Sequence, residues 1–457
     1  MIETSTEVAE PLVAVTLAEK ALLSGTTFVL ALFVDLDGKP CAKLVPVEAI
    51  DELATNGVGF AGYAVGAIGQ EPRDPDLMAM PDPDSFTPVP FVKEGLAIVH
   101  CDPHVEGKPW PFAPRVILRS MIARLAEAQG LEAYVGAEVE YFLLRRGADG
   151  SLVTADPGDR SARPCYDARG VTRMYEHLAS VSRAMNELGW GNYANDHEDG
   201  NGQFEQNFEY ADALTTADRV ITARYLISML AHERDMVATF MPKPFADRTG
   251  SGLHLHLSLW RDGVSTFPDS PDAPDDRGLG LSPTAYSFAA GILEHASALQ
   301  AVLGPSVNSY KRTGAVSTTS GASWAPRLPT YGGNDRTHFL RIPDHHRIEL
   351  RGGDGSANPY LAIAAALGAG LDGIERDMDP GTVGGDNGVV RAPLPRTLLH
   401  AIDALEADPV VSDSLDLAGA ADGHRVAAYF AERKREEFFD YHSQVSTWEV
   451  DRYLTAY

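Results

Sequence analysis

A strand-like segment, residues 250–260, carries two imidazoles and a hydroxyl at alternating positions. Every second residue from 253 to 259 is leucine, and His254, His256 and Ser258 stand between the leucines. Successive side chains of a strand point to opposite faces, so the leucines are predicted to pack into a core while the three polar residues share the other face. Imidazoles can bind a metal ion or exchange protons, and this face is therefore a predicted site.

Carboxylates and guanidinium groups recur at the same two-residue spacing in other strand-like segments. Burying so many charges costs free energy unless they pair or bind ions. Carboxylate oxygens with one imidazole suit Mg²⁺ or Mn²⁺, whereas zinc would prefer more His or Cys. Arginines facing such a cluster could bind phosphoryl groups, so the combination predicts metal-assisted phosphoryl transfer from a nucleotide. The charged residues of this set are Glu138, Glu140, Glu198, Glu205, Glu349, Arg312, Arg336, Arg341, Arg347 and Arg351.

Each motif has an ordinary structural interpretation when it stands alone. A Glu-x-Glu pair on a strand is most often a solvated face, and His-x-His is more often structural than metal-binding. Arg-x-Glu-x-Arg is usually a surface ion-pair ladder that contributes little stability. The joint occurrence of these motifs favours one shared site.

The composition excludes several classes of function. A net charge of −26 argues against nucleic acid, whose phosphates need Lys and Arg, and against anionic membrane surfaces. The sequence contains no run of about 18 apolar residues that could cross a membrane. Its acidic start does not resemble a signal peptide. Three widely spaced cysteines match no metal-binding spacing and suit a reducing compartment. We therefore expect a cytoplasmic protein.

The elements that position these residues are predicted to form an α+β protein. At 457 residues the chain is long enough for two or three domains. A hairpin of strands at 28–34 and 41–47, followed by a short helix and a glycine-rich loop at 57–63, predicts a first domain. A proline cluster places its boundary near residue 108, which gives domains 1–108 and 109–457. Helices are predicted at 8–23, 115–129, 171–188, 216–236, 283–303, 358–374 and 393–407, with a loop at 146–163.

The chain resembles the glutamine synthetase superfamily over nearly all of its length. The motifs occur in the family's order, which makes the resemblance specific. They are Glu138-Val139-Glu140, His197-Glu198, Gly202-Gln203-Phe204-Glu205, Lys243-Pro244, the segment 250–259, Asn308-Ser309-Tyr310-Lys311-Arg312, Arg341-Ile342-Pro343, Arg347-Ile348-Glu349-Leu350-Arg351 and Ser356-Ala357-Asn358-Pro359-Tyr360.

The resemblance implies a β-grasp N-terminal domain, a catalytic domain with an antiparallel sheet and helices, and stacked hexameric rings, a homododecamer with sites between neighbouring subunits. It also implies ATP as substrate, two or three Mg²⁺ or Mn²⁺ ions per site, and a γ-glutamyl phosphate intermediate that an amine attacks. By matching motifs, one cation would be held by Glu140, Glu198 and Glu205, and the second by Glu138, His254 and Glu349. The residues that would face ATP are His256, Ser258, Arg341 and Arg347, and Arg336 would face the transferring phosphoryl group. Glutamate would be held by Gly250, Arg312 and Arg351.

The sequence departs from the ammonia-using members at two acidic positions. Where they carry an aspartate in the N-terminal domain, contributed to the neighbouring subunit's site, this chain has Ala61. The segment that resembles their flap, residues 313–326 and called the flap below, has no acid and carries Trp324 before an Ala-Pro pair. Its small Gly, Ser and Thr residues predict a mobile flap. Loss of two carboxylates weakens a site for NH₄⁺, and an indole favours an N-alkyl group. These features resemble the γ-glutamylmethylamide synthetases.

The expected function is ATP-dependent ligation of L-glutamate to a small primary amine, with methylamine as the first candidate. Ethanolamine, isopropylamine or an aromatic amine remain open, as does glutamine synthesis from ammonia. The alkylammonium must lose a proton, and Glu198 is the candidate base. Outside the ligases, a metal-dependent amidohydrolase or a catalytically inactive nitrogen regulator would be alternatives. The loop after residue 373 lacks a tyrosine, so no adenylylation is expected.

Overall fold

The computed structural model describes residues 15–314, 318–385, 391–417 and 425–457. Within these residues lie two β-sheets and the helices that pack on them, which confirms the α+β class. No helix of the described residues is long and apolar enough to cross a membrane. The division into domains 1–108 and 109–457 stays a prediction.

The first sheet has seven strands, all between Phe28 and Pro109, and its main path runs in the order β2-β1-β6-β4-β3. The pair β1–β6 is parallel and the other pairs are antiparallel. The strands are β1 Phe28–Val34, β2 Pro40–Pro46, β3 Val58–Phe60, β4 Leu77–Pro81, β5 Thr87–Pro88, β6 Leu96–Val105 and β7 Lys108–Pro109, with helices α1 Leu17–Leu23, α2 Ile50–Asn56 and α3 Gly62–Val65.

The second sheet has eleven strands and provides most of the predicted site residues. Its main path is β10-β11-β8-β14-β18-β17-β16, antiparallel except for the pair β16–β17. The strands are β8 Glu132–Arg146, β9 Leu152–Thr154, β10 Ala194–His197, β11 Gln203–Asn207, β12 Ala211–Asp212, β13 Val237–Thr239, β14 Leu253–Arg261, β15 Val264–Ser265, β16 Tyr331–Gly332, β17 Leu340–Asp344 and β18 Arg347–Leu350.

Most of the remaining helices pack on the second sheet or on one another, with α11 buried along most of its length. Proline in the first turn and a capping side chain define several starts: Asn358 accepts a hydrogen bond from the backbone of Tyr360 at α11. The helices are α4 Pro114–Gln129, α5 Ala168–Arg173, α6 Tyr175–Glu187, α7 Ala213–His232, α8 Pro283–Glu294, α9 Ala296–Leu303, α10 Ser309–Thr313, α11 Pro359–Glu375, α12 Leu398–Ala407, α13 Pro409–Ser414, α14 Val426–Ser443 and α15 Thr447–Tyr453.

Several predicted boundaries are wrong. The segment 57–63, predicted as a loop, contains β3 and the start of α3, because Val58–Phe60 pairs with β4. The predicted loop 146–163 contains β9. Two predicted long helices are each divided, at Met174 and at His295, and α12 starts at Leu398 rather than Pro393. A second proline follows Pro393 two residues later, and the residue before a proline is disfavoured in a helix.

The predicted helix 8–23 and the predicted mobile flap fall partly outside the described residues. Helix α1 begins at Leu17 after a Thr16 capping box, and residues 8–14 are not described. In the flap, residues 313, 314 and 318–326 are described. Whether the flap moves stays a prediction.

Candidate active site

The polar face of β14 meets the acidic faces of its two neighbouring strands. The register places His254 opposite Glu138 of β8 and His256 opposite Glu349 of β18. His254 Nδ1 lies 2.8 Å from Glu138 Oε2 and 3.7 Å from Glu349 Oε1. The alternating leucines from 253 to 259 are at most 2% exposed, so the core fixes which face the imidazoles occupy. The predicted pattern of this strand is confirmed.

Glu138 lies at the centre of these contacts. Its two carboxylate oxygens pair with His254 and with His256 Nε2, which is 3.0 Å from Glu138 Oε1. Burial acts to raise the pKa of Glu138, but the hydrogen bonds with both histidines outweigh burial and hold that pKa well below the ordinary value. Glu138 therefore remains an anion held between two imidazoles.

The carboxylates on the other side of His254 lack such compensation. Glu205 of β11 lies opposite Glu140 of β8, and Glu198 follows β10. Burial and then the neighbouring carboxylates raise the pKa values of Glu198 and Glu205 well above the ordinary value. Burial also raises the pKa of Asp196 to about 6. Like charges at this distance disfavour ionisation, so a cation would stabilise the ionised cluster.

Three groups of side chains could each hold a metal ion, because their ligand atoms lie within 4.8 Å of one another. The set is rich in carboxylate oxygen with one imidazole, which fits Mg²⁺ or Mn²⁺. One group agrees with a predicted set, while Glu198 joins Asp196 and Glu205 rather than Glu140. The groups are Glu138, His254 and Glu349; Glu140, Glu205 and His254; and Asp196, Glu198 and Glu205.

Sequence reasoning missed Asp196, although a signal was available. Asp196 and Glu198 have the two-residue spacing that singled out the other pairs. Glu198 was part of the predicted charged set, whereas Asp196, two residues earlier, was not included.

Two predicted arginines bind Glu349 inside the protein. Arg341 donates from Nη1 to Glu349 Oε2 at 2.6 Å, and Arg351 donates from Nη1 to the other carboxylate oxygen. Burial acts to raise the pKa of Glu349, but His254 and Arg351 outweigh burial and lower that pKa. Buried nitrogens without a hydrogen-bond partner remain on Arg351, at Nε, and on Arg312, at Nη1. Within the described structure these donors are free to bind a ligand carboxylate.

Gly250 lies where only a glycine fits. A Cβ at this position would lie 2.2 Å from the carbonyl oxygen of Pro242 and 2.9 Å from Cγ of Arg312. The Gly250 carbonyl oxygen accepts a hydrogen bond from Gln203 at 3.1 Å. The close approach of backbone to Arg312 explains why this segment opens with glycine.

Most of the predicted residues line two cavities that meet at Glu138, whereas Gly250, Arg312 and Glu349 line neither. The larger cavity, of about 760 Å³, contains the acidic cluster. The smaller cavity, of about 530 Å³, is lined by His256, Ser258 and Arg347. Predicted residues that line the larger cavity are Glu138, Glu140, Glu198, Glu205, His254, Trp324, Arg336, Arg341 and Arg351.

The four residues predicted to face ATP therefore do not all line the same cavity. Arg341 lines the larger cavity, apart from the other three members of that set. Ala61 is exposed, precedes α3 on the first sheet and lines neither cavity.

Aromatic residues that sequence reasoning missed line both cavities. Trp260, Tyr193 and Tyr210 border the smaller one. The Trp260 indole donates to Ser258 Oγ at 3.0 Å, and Trp260 continues the alternation of β14, so its position could have been predicted. Tyr166 borders the larger cavity, and burial, followed by the Glu198 charge, raises its pKa to about 12.

Cys165 also lines the larger cavity. Burial, and then the charges of Glu198 and Asp199, raise the pKa of its thiol to about 12. At neutral pH this side chain is therefore an uncharged thiol rather than a nucleophilic thiolate.

Comparison with known proteins gives consistent results. Residues 111–453 match the family model described as glutamine synthetase, catalytic domain. The chain is 42% identical to a glutamine synthetase of Rhizobium leguminosarum bv. phaseoli over 92% of this chain and 95% of the relative. It is 39% identical to a glutamate–methylamine ligase of Methyloversatilis universalis over 93% of this chain and 96% of the relative. A solved structure described as a GmaS/ADP complex superposes with a TM-score of 0.88 and 47% identity, covering 96% of this chain and all of that one.

Proposed function

We propose that this chain, which belongs to the glutamine synthetase family and is a carbon–nitrogen ligase, joins L-glutamate to a small primary amine with hydrolysis of ATP. The observation that carries the proposal is Trp324. At the position where the ammonia-using members have a flap glutamate, this chain puts an indole at the wall of the larger cavity. An apolar surface there accommodates an N-alkyl group better than it holds NH₄⁺. The likeness to a glutamate–methylamine ligase makes methylamine the first candidate.

The acidic cluster would hold the divalent cations that the family uses. Glu138, His254 and Glu349 would bind one Mg²⁺ or Mn²⁺. By the family resemblance Glu140, Glu198 and Glu205 would bind another. Asp196, which groups with Glu198 and Glu205 in this structure, would be available for a third. Bound there, the ions would neutralise charge on the phosphates during transfer. The raised pKa values of Glu198 and Glu205 support this assignment, because these carboxylates have no cationic partner among the described residues.

The two cavities suggest how the substrates divide. ATP would occupy the smaller cavity, with His256, Ser258 and Arg347 around the nucleoside and aromatic rings beside it. Its γ-phosphate would extend past Glu138 into the larger cavity. There Arg336 and Arg341 would bind phosphoryl oxygens bidentately.

L-Glutamate would bind near Gly250 through the guanidinium groups of Arg312 and Arg351. Each has one buried nitrogen without a hydrogen-bond partner in the described structure, Nη1 of Arg312 and Nε of Arg351. Its side-chain carboxylate attacks the γ-phosphorus of ATP, ADP leaves, and γ-glutamyl phosphate forms. Arg336 would stabilise the charge of the transferring group.

In the second step the amine nitrogen attacks the acyl carbon and phosphate leaves. An alkylammonium has a pKa near that of lysine, roughly 10.4, so it must first lose a proton. Glu198 is our candidate for the acceptor. Its carboxylate lines the larger cavity, where the amine would bind.

The assembly is part of the proposal. We expect residues 1–108 to form a β-grasp domain, residues 109–457 the catalytic domain, and the chain to form stacked hexameric rings. In such a ring Ala61, which is exposed on this chain, would reach the site of an adjacent copy. The amine would then also lack the second carboxylate that the ammonia-using members place beside their acceptor.

Glutamine synthesis from ammonia is the second candidate, favoured by the 42% identity to a glutamine synthetase. Purified protein with ATP, glutamate and Mg²⁺ should be tested with ammonium, methylamine, ethylamine, ethanolamine and isopropylamine, following ADP release and the mass of the amide. We expect kcat/KM for one alkylamine to exceed that for ammonium by more than tenfold. Equal or higher kcat/KM with ammonium would contradict the proposal, and amide hydrolysis without ATP would indicate an amidohydrolase instead.

A further inference from the structure

Asp199 connects the turn that carries Glu198 to the flap. Its side chain is buried, with 8% of the residue exposed. The oxygen Oδ2 accepts hydrogen bonds from the indole nitrogen of Trp324 at 2.8 Å, from the hydroxyl of Ser320, and from Thr249 Oγ1 at 3.4 Å. The flap has no acid of its own, and this carboxylate comes from a segment 125 residues earlier in the sequence.

Trp324 adopts a backbone conformation that needs such support. Its φ is 55°, in the left-handed region that a bulky side chain rarely occupies. The residue is also 47% exposed, so burial of the ring is incomplete. Strained conformations persist when surrounding contacts hold them, and they concentrate at functional sites.

Two hydrogen bonds from described residues hold Trp324, one from Asp199 next to Glu198 and one from Arg351, which lines the larger cavity. Asp199 binds the indole N–H, and Arg351 Nη2 lies 3.4 Å from the backbone carbonyl oxygen of Trp324. Arg351 also binds Glu349. A hydrogen bond to a buried carboxylate is stronger than one between neutral groups, so Asp199 is the principal constraint on the ring.

We propose that Asp199 is a positioning residue for the acceptor step: it fixes the Trp324 indole at the wall of the larger cavity. The inference rests on the proposed function, because the indole is taken to border the amine. With the ring fixed, the amine fits beside the acyl phosphate and water is excluded.

Without Asp199, water competes with the amine. Water oxygen then bonds to the acyl carbon, the bond to the phosphate oxygen breaks, phosphate leaves, and a proton goes to solvent. Glutamate is regenerated, and ADP accumulates without amide.

The test measures ADP released per amide formed, with the amine that the wild-type protein uses best. For D199A and for W324F, which removes the indole N–H but keeps an aromatic ring, we expect this ratio to rise. We also expect kcat/KM for the amine to fall about tenfold while KM for ATP stays unchanged. D199N keeps a carbonyl oxygen that can accept from the indole, so it should recover most of the wild-type ratio.

The double variant D199A/W324F should be no worse than D199A alone, because W324F removes a hydrogen bond that D199A has already removed. D247N is the matched control: the Asp247 side chain is 72% exposed, although its backbone also contacts the flap at Thr319. It should leave both quantities unchanged.

An unchanged ADP-to-amide ratio in W324F and D199A, or additive losses in the double variant, would overturn the inference. W324F tests the contact from the flap side if D199A fails to fold. Failure of the proposed function looks different: ammonium would then be the best acceptor of the wild-type protein, and the ratio could still be measured with ammonium.

Discussion

The two sides of the larger cavity are built differently. The acidic side includes strand residues such as Glu140, Glu205 and His254, each at most 7% exposed and held in register by the sheet. The opposite side consists of loop residues. Tyr166 and Trp324 are 68% and 47% exposed, and both have a positive φ.

The difference indicates a division of labour between sheet and loops. Charges that must stabilise phosphoryl transfer gain from a rigid arrangement, because fixed dipoles and charges need not reorganise during reaction. Loops tolerate substitution without disturbing the core, so the choice of acceptor can change while the chemistry of activation is kept. We therefore expect strand substitutions to affect every acceptor equally and loop substitutions to affect selectivity.

The largest effect is expected from E138Q on the strand side. Glutamine keeps the size of Glu138 but removes the negative charge that lies between His254 and His256. We expect kcat to fall about 10³-fold with every acceptor, and Mn²⁺ affinity to fall about 10- to 100-fold. Steady-state kinetics across the amine panel and a Mn²⁺ titration measure both.

E132Q is the matched control, since Glu132 lies on the same strand but is exposed and lines neither cavity. Its activity should equal that of the wild-type protein. A loss below tenfold in E138Q, or a loss confined to one amine, would contradict the assignment of the strand side to activation.

Arg336 tests whether the two sides of the cavity differ in role, because it is an exposed loop residue that we assign to phosphoryl transfer. We expect R336A to slow ADP formation about 10²-fold with all acceptors. R336K should recover part of the loss, because lysine supplies charge but not a bidentate fork. R160A, in an exposed loop away from both cavities, is the control. If R336A changed the preference among amines instead, the assignment of Arg336 to phosphoryl transfer would be wrong, and the loop residues would determine only which acceptor is used.

The difference between strand and loop residues also explains how much of the site could be predicted from the sequence. The positions of His254 and Glu138 on facing strands could be predicted, because alternation is a local property of a strand. The contact between Asp199 and Trp324 could not, since it joins residues 125 positions apart through irregular loops. The fold class was predictable from periodicity and family resemblance. The strand β3 was not, because only its pairing with β4 makes that glycine-rich segment regular.

The smallest expected effect is a pH dependence of stability to which the acidic side of the larger cavity contributes and the loop side does not. Burial and then neighbouring carboxylates raise the folded-state pKa values of Glu198 and Glu205, and burial raises that of Asp196 to about 6. A folded state that binds protons more tightly than the unfolded state loses stability as pH rises through the raised pKa values. The Tm of the metal-free protein should therefore fall by a few degrees, about 2–4 °C, between about pH 5 and pH 8, and added Mg²⁺ should restore it more at the higher pH.

E205Q removes one of these ionisations and should make the fall in Tm shallower, whereas W324F, a change on the loop side, should leave its slope unchanged. Glu138 and Glu349 act in a different window. Their lowered pKa values stabilise the fold above the ordinary value of about 4.3 and lose that effect only in more acidic solution. Differential scanning calorimetry in EDTA, with and without excess Mg²⁺, measures the slopes. If E205Q kept the full slope, or W324F made it shallower, the raised pKa values would not be the cause, because then the loss of stability would not track the charge of the cluster.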